Sequence, residues 1–194
     1  MSKHLKIKDF VTMGIFFVIY FAVFFGVGMI GLIPILFLCF PFVSGVINGT
    51  TVMLYMAKVP KPWSIFLFGM LGPLFMWTMG HTYIVPAVAV VFVGLAELCF
   101  RLGKFKSFKY IALSYAFFSC WIVGSLMQML LVKERYIQMS LEVGMSPEYL
   151  DSLEKLISYP SMLLVTLGAF VGGLIGAFIG KKMLKKHFAK AGIL

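Results

Sequence analysis

Residues 133–159 read KERYIQMSLEVGMSPEYLDSLEKLISY and form the one long polar segment of a 194-residue chain. They contain five of its seven acidic residues, whereas apolar runs precede and follow them. Charged side chains are costly inside hydrocarbon, so this segment is expected to lie outside a lipid bilayer, between two membrane spans. We interpret residues 133–159 as a cap over the rest of the protein.

The remainder of the chain has the composition of a membrane protein. Apolar residues make up 61% of the sequence and charged residues 12%, which excludes an ordinary soluble domain. Six apolar segments approach the roughly 20 residues that a helix needs to cross a bilayer. They are residues 10–29, 34–56, 63–79, 83–100, 110–132 and 160–183. The sequence therefore predicts an all-α integral membrane protein, in which residues 1–194 form a single domain of six transmembrane helices.

Basic residues are distributed unequally among the connections. Fourteen of the seventeen lie in the two tails and in the connections that follow the second and fourth spans: Lys3, Lys6, Lys8, Lys58, Lys61, Arg101, Lys104, Lys106, Lys109, Lys181, Lys182, Lys185, Lys186 and Lys190. The connections after the first and third spans carry no charge, and the cap has three basic residues against five acidic ones. Because basic residues stay in the cytoplasm, both termini are predicted to be cytoplasmic and the cap extracellular. This explains the positive charge without nucleic acid, which is not expected as a partner.

Two helices are predicted in the cap. The fifth helix is expected to continue through Tyr136 and Met139 to Gly144, since glycine commonly ends helices. A second helix is expected to start with Ser146 as its N-cap and Pro147 in its first turn. Apolar side chains then recur at helical spacing on one face, at Tyr149, Leu150, Leu153, Leu156 and Ile157. That face can rest on the outer lipid surface or dock over a cavity in the bundle.

Few groups in the spans are suited to chemistry. Glu97 is the one acid inside a predicted span, but it precedes Arg101 by four residues, the spacing of an ion pair on a helix. No HExxH, Walker or paired-carboxylate motif is present, so we do not expect an enzyme. Cys39, Cys99 and Cys120 have neither CxxC nor zinc spacing, so neither a disulfide framework nor a bound metal or cofactor is expected.

Polar and aromatic residues gather toward the predicted outer ends of the helices. By position, the candidate substrate-binding residues are Trp77, His81, Tyr83, Gln128, Arg135 and Tyr136 at a rim, with Trp121 lining the interior. The aromatic residues could instead anchor the helices at the membrane interface. His81 and the methionines of the outer half could also ligate haem iron, which leaves a haem-binding alternative open.

Glycines recur every four residues in the sixth span, at Gly168, Gly172, Gly176 and Gly180. Small residues on one face let membrane helices approach closely. The sixth span is therefore expected either to pack inside the bundle or to dock on another membrane protein.

Three stretches resemble a known family. They are LKIKDFVTMGIFFVIYF (residues 5–21), MAKVPKPWSIFLFGML (residues 56–71) and the pair Met79 and Gly80. They are similar to the Trep-Strep family of bacteria, which are predicted substrate-binding (S) components of energy-coupling factor (ECF) transporters. The order of spans and the long connection between the fifth and sixth spans agree with this resemblance.

The resemblance implies a multi-pass protein of a bacterial plasma membrane, which binds a small nutrient beneath its outer connections. A separate transmembrane coupling subunit and two ATPase subunits then drive uptake. In many such proteins an AxxxA face on the first span docks on the coupling subunit. The matching positions are Gly14 and Val18, with Ala22 next, and the alanines of the motif are not reproduced.

The substrate and the class of transporter are left open. A vitamin-like molecule or precursor is the first expectation for the substrate, and haem or another tetrapyrrole is the second. A self-sufficient secondary transporter is the alternative for the class, although such folds usually show internal repeats and none is evident here. A scaffold assembled through the sixth span is a further alternative.

Overall fold

The computed structural model describes residues 4–185 and residue 189. Lys3, Lys186 and Lys190, which contribute to the predicted orientation, lie outside the described residues, as do both ends of the predicted domain 1–194. The described chain folds into helices joined by short connections. They are α1 Ile7–Gly28, α2 Pro34–Ile47, α3 Gly49–Lys58, α4 Ser64–Thr78, α5 Ile84–Leu102, α6 Phe108–Ser119, α7 Val123–Leu131, α8 Lys133–Glu142, α9 Pro147–Leu156 and α10 Tyr159–Met183.

Four stretches of the described chain are long and apolar enough to cross a membrane: Ile7–Leu32, Ile84–Leu102, Phe108–Leu131 and Tyr159–Met183. The pair α2 and α3 forms a fifth candidate, bent by 42°. The third predicted span corresponds to α4, which is apolar but only 15 residues long. The prediction of an all-α membrane protein is therefore confirmed with four to five candidate spans among these residues.

The second predicted span is interrupted at Asn48, where the backbones of α2 and α3 lie against the backbone of α10. A Cβ atom on Gly49 would overlap the backbone of Gly176, and one on Gly45 would lie 2.9 Å from the backbone nitrogen of Gly173. From the other side, a Cβ on Gly172 would overlap the carbonyl oxygen of Phe42. The glycines of the sixth predicted span thus pack backbone against backbone inside the bundle, which is the first of the two alternatives.

Glu97 joins the end of α5 to the beginning of α4. Its carboxylate accepts hydrogen bonds from the backbone N–H groups of Trp63 at 2.6 Å and Phe66 at 3.3 Å. It also accepts one from Nε of Arg101 at 2.6 Å, which confirms the predicted ion pair. The first N–H groups of a helix have no partner within it, so the buried carboxylate also acts as a cap for α4. Sequence spacing gave no sign of this second role.

The fifth helix does not continue into the cap as predicted. Helix α7 ends at Leu131, and Val132 has φ −142° and ψ 49°, so α8 is a separate helix. Val132 is the last residue of the apolar run, and a β-branched residue adopts such a non-helical conformation more readily than a straight-chain one. The expected end at Gly144 and start at Ser146 are both confirmed. Gly144 has φ +87°, and Oγ of Ser146 accepts from the Tyr149 N–H at 3.2 Å.

The apolar face of α9 docks on the bundle. Leu150, Leu153 and Ile157 are buried, and α9 contacts α2. The hydroxyl of Tyr149 donates to the carbonyl of Gly31, in the connection between α1 and α2, at 2.5 Å. Nζ of Lys133 and a carboxylate oxygen of Glu154 lie 2.5 Å apart and join the two helices of the cap. The apolar face therefore packs on the bundle rather than on the outer lipid surface.

Replacing Gly172 by alanine should destabilise the protein by about 1–3 kcal/mol, since its Cβ has no room beside Phe42. Gly168 is one helical turn away and serves as the control, because a Cβ there would lie 3.9 Å from its nearest neighbour. Gly168→Ala should leave stability unchanged or raise it by about 0.5–1 kcal/mol, since alanine favours helices. Thermal unfolding in detergent compares the two variants, and equal melting temperatures would contradict this close packing.

Candidate functional site

A pocket of about 290 Å³ lies at the cap end of the bundle, the end that carries the cap and the connections after α1 and α4. It forms where the α4–α5 connection meets the beginning of α8. Its lining residues are Trp77, Gly80, His81, Thr82, Tyr83, Val132 and Arg135. Four predicted binding residues, Trp77, His81, Tyr83 and Arg135, therefore share one pocket, which we call the rim pocket. Val132 was missed because its position depends on the unforeseen break before α8.

Gln128 lies beside the rim pocket but does not line it. Its side chain is fully buried, and its Oε1 accepts from the Thr82 N–H at 2.7 Å. Its Nε2 donates to the carbonyl of Ser125 at 2.9 Å and lies 3.1 Å from Nδ1 of His81. The Thr82 donor and the Ser125 acceptor fix which end of the amide carries oxygen. Gln128 thus holds the α4–α5 connection against α7.

The same amide determines the protonation of His81. Because Nε2 of Gln128 donates, Nδ1 of His81 accepts, and the neutral ring carries its proton on its own Nε2. Burial lowers the pKa of His81 below its ordinary value of 6.5, so the ring is neutral at pH 7. Its Nε2–H forms no hydrogen bond within the described protein and is available to a ligand. Coordination of haem iron through Nε2 would require the proton to leave that nitrogen and the hydrogen bond from Gln128 to Nδ1 to be rearranged.

The charge of the rim pocket is positive. Arg135 is exposed and forms no ion pair with any described residue. The lining contains no acidic side chain, and Trp77 and Tyr83 expose about half or more of their surface, at 52% and 62%. The pocket therefore offers a guanidinium group, a fixed imidazole donor and aromatic surface, which suits a small molecule with an anionic or hydrogen-bond-accepting group.

Two predicted binding residues lie elsewhere. Trp121 is almost completely buried between α6 and α7, where its indole N–H donates to the hydroxyl of Tyr20 at 2.9 Å and its ring stacks on Phe24. Tyr136 is buried on the inner face of α8, and burial raises the pKa of its hydroxyl. Neither residue lines the rim pocket, and Trp121 joins α1 to the α6–α7 segment.

A second pocket at the cap end has a volume of about 410 Å³ and was not predicted. The connection between α1 and α2 lines one side, and the turn between α8 and α9 lines the other. Its residues are Gly28, Met29, Gly31, Leu32, Phe37, Gly144, Met145, Ser146 and Tyr149. The cap thus borders both pockets, through Arg135 in the first and Tyr149 in the second.

The candidate docking residues lie on the outside of α1. Gly14, Val18 and Ala22 are all exposed, and a Cβ on Gly14 would have no neighbour within 4 Å. Gly26 continues the same four-residue spacing and is equally open. These positions form one uncovered strip along the helix, whose residues are small except at Val18.

His81 should make stability depend on pH. Its pKa is lower in the folded state, so the unfolded protein binds the proton more readily. The stability that depends on neutral His81 is fully present above its unfolded pKa of about 6.5 and is lost as pH falls below it. Melting temperatures between pH 8 and pH 5 should therefore drop less in His81→Asn than in the unaltered protein. A pH profile of His81→Asn identical to that of the unaltered protein would contradict the assignment.

A family model described as "Hypothetical bacterial integral membrane protein (Trep_Strep)" matches residues 7–190, a range that includes both pockets, the cap and the α1 strip. Neither a curated protein nor a solved structure matches the chain significantly. The apolar helices agree with the description that accompanies the family. The chain therefore belongs to the Trep_Strep family and is a multi-pass bacterial integral membrane protein.

Proposed function

We propose that this protein is the substrate-binding component of an ECF importer in the bacterial plasma membrane. It binds a small nutrient and passes it inward through a separate transmembrane coupling subunit, powered by two ATPase subunits. The rim pocket carries the proposal, because it combines a concave aromatic surface with an unpaired guanidinium and an available imidazole donor. The protein has no catalytic activity of its own in this proposal.

The proposed topology has six spans, formed by α1, α2 with α3, α4, α5, α6 with α7, and α10. We call the end of the bundle opposite the cap the basic end. Contacts there support this topology, since Lys61 in the α3–α4 connection pairs with Asp9 at the start of α1. Arg101 and Glu97 at the end of α5 meet Trp63 in the same connection. The cap lies at the opposite end, so the basic residues favour cytoplasmic termini and an extracellular cap.

The proposed substrate is a vitamin-like molecule or precursor with a carboxylate or another acceptor group. Arg135 would bind that group, His81 would donate a hydrogen bond from Nε2, and Trp77 would pack against an apolar or ring portion. Haem is the less favoured substrate, because Gln128 keeps the proton of His81 on the nitrogen that would have to bind iron.

The cap is proposed to act as a lid. Its first helix supplies Arg135 to the rim pocket, and the non-helical Val132 lies between that helix and the bundle. A change in the backbone dihedral angles of Val132 would move Arg135 relative to His81. Hinges of this kind are commonly formed by a few residues at the end of an element.

A secondary transporter is the less favoured class. Proton coupling needs an ionisable group that can change its charge within the spans. The buried acids of the described chain are Asp9 and Glu97, and each is held by an ion pair and by backbone N–H groups. Both carboxylates are thus engaged in structural contacts near the ends of their helices, and neither is an uncommitted acid within a span.

Arg135→Gln should weaken binding of the native small molecule by about tenfold or more, since a hydrogen bond to a charged group contributes roughly 1.5–3 kcal/mol, and so should lower the amount that copurifies with the protein. Lys155→Gln removes the same charge from an exposed position in α9 and should leave the recovered amount unchanged. Mass spectrometry of extracts from the gently purified proteins measures both. Equal recovery from the two variants would remove Arg135 from the site.

Val18→Trp should abolish copurification of the coupling subunit and the ATPases, because a bulky side chain would block the uncovered strip of α1. Val91→Trp is the matched control, since Val91 is a similarly exposed valine of α5, at 59% against 67% for Val18. Affinity purification from the native membrane followed by mass spectrometry identifies the partners. If no ATPase copurifies with the unaltered protein and the purified chain alone takes up solute along an ion gradient, the ECF proposal is wrong.

A further inference from the structure

A further pocket opens at the basic end of the bundle, far from the cap. Its volume is about 290 Å³, and it lies between the beginning of α4 and the end of α5. The lining residues are Trp63, Phe66, Gly94, Glu97, Leu98 and Arg101. None of them belongs to the rim pocket or to the strip on α1.

One side of this pocket faces the hydrocarbon of the membrane. A Cβ on Gly94 would meet no atom within 4 Å, so the backbone of α5 is uncovered there. Leu98 is 53% exposed, and Val91 and Leu102 are exposed on the same helix. A lipid chain can therefore lie along this surface of α5 over the gap at Gly94.

The other side of the pocket presents an incompletely used guanidinium group. Nε of Arg101 donates to Glu97 at 2.6 Å, and Cζ lies 4.3 Å from the centroid of the Trp63 ring. These contacts orient the side chain. The two terminal nitrogens of Arg101 form no hydrogen bond with any described residue, and Nη2 is buried in this unsatisfied condition. An unpaired buried donor is unfavourable, so an additional acceptor at this position would be stabilising.

The surroundings of Arg101 favour an anionic acceptor. The carboxylate of Glu97 is already shared with the backbone N–H groups of Trp63 and Phe66. The connection that follows α5 adds Lys104 and Lys106 and contains no acidic residue, and Lys109 follows in the first turn of α6. Tryptophan is also common where a membrane protein meets the headgroup region.

We propose that this pocket binds an anionic phospholipid of the leaflet at the basic end. Its phosphate oxygens accept hydrogen bonds from the terminal nitrogens of Arg101, and one acyl chain lies over Gly94 and Leu98. Arginine matches phosphate oxygens geometrically, and basic pockets between membrane helices commonly hold anionic headgroups. Free phosphate would use the guanidinium but not the apolar surface. The site is independent of the proposed transport function.

Native mass spectrometry of the full chain in detergent tests the proposal, with phosphatidylglycerol and phosphatidylcholine of identical acyl chains as probes. The unaltered protein should retain phosphatidylglycerol more tightly. Arg101→Gln should weaken that binding by about tenfold, the loss expected for a hydrogen bond to a charged group. Lys106→Gln removes an equal charge from an exposed position outside the pocket and should have a distinctly smaller effect.

Gly94→Phe is a second variant that keeps the Arg101–Glu97 ion pair and fills the acyl-chain surface. It should also weaken phosphatidylglycerol binding, with a melting temperature near that of the unaltered protein. Equal affinity for the two lipids, or unchanged phosphatidylglycerol binding in both pocket variants, would overturn the proposal. It would also be overturned if inorganic phosphate displaced the lipid at equal concentration, or if Gly94→Phe released a protein partner while lipid binding persisted.

Discussion

Each interruption of a membrane helix leaves backbone N–H and C=O groups that hydrocarbon cannot satisfy, and the structure depends on side chains that reach these groups from neighbouring helices. Glu97 takes the free N–H groups at the beginning of α4, and Gln128 takes the N–H of Thr82 before α5. The hydroxyl of Tyr115 donates to the carbonyl of Gly45 near the break at Asn48, at 2.7 Å. The hydroxyl of Tyr55 donates to the carbonyl of Ser64 at 2.9 Å and so joins α3 to the first turn of α4. The buried polar side chains of Glu97, Gln128, Tyr115 and Tyr55 therefore act in folding.

Because folding uses most of the polar groups, few hydrogen-bond donors are left to bind a ligand. In the rim pocket the unused donors are Nε2–H of His81 and the guanidinium of Arg135, and at the basic end they are the terminal nitrogens of Arg101. His81 and Arg101 are each held by the protein through one nitrogen, while another nitrogen of the same side chain stays free. A ligand would then meet groups that are already oriented, which lowers the ordering cost of binding.

Features set by neighbouring residues could be predicted from the sequence, whereas features set by distant helices could not. Ser146 caps α9 and Glu97 pairs with Arg101 because both arrangements need only local spacing. The break at Asn48 depends on the approach of α10, more than a hundred residues later in the chain. The role of Gln128 depends on Thr82, which the fold brings from 46 positions away. Trp77, His81 and Tyr83 could be grouped correctly because they flank the same connection, while the burial of Trp121 required Tyr20.

The shortness of α4 has a consequence for the lipid around the protein. Fifteen residues of helix rise about 22 Å, which is less than the roughly 30 Å of a typical hydrocarbon core. In the proposed six-span topology α4 crosses the membrane, and local thinning of the bilayer would accommodate it at an elastic cost of a fraction of a kcal/mol for each ångström of mismatch. Bilayer thickness thereby becomes a variable that acts on the protein, and thinner membranes would hold α4 and the elements attached to it with less deformation.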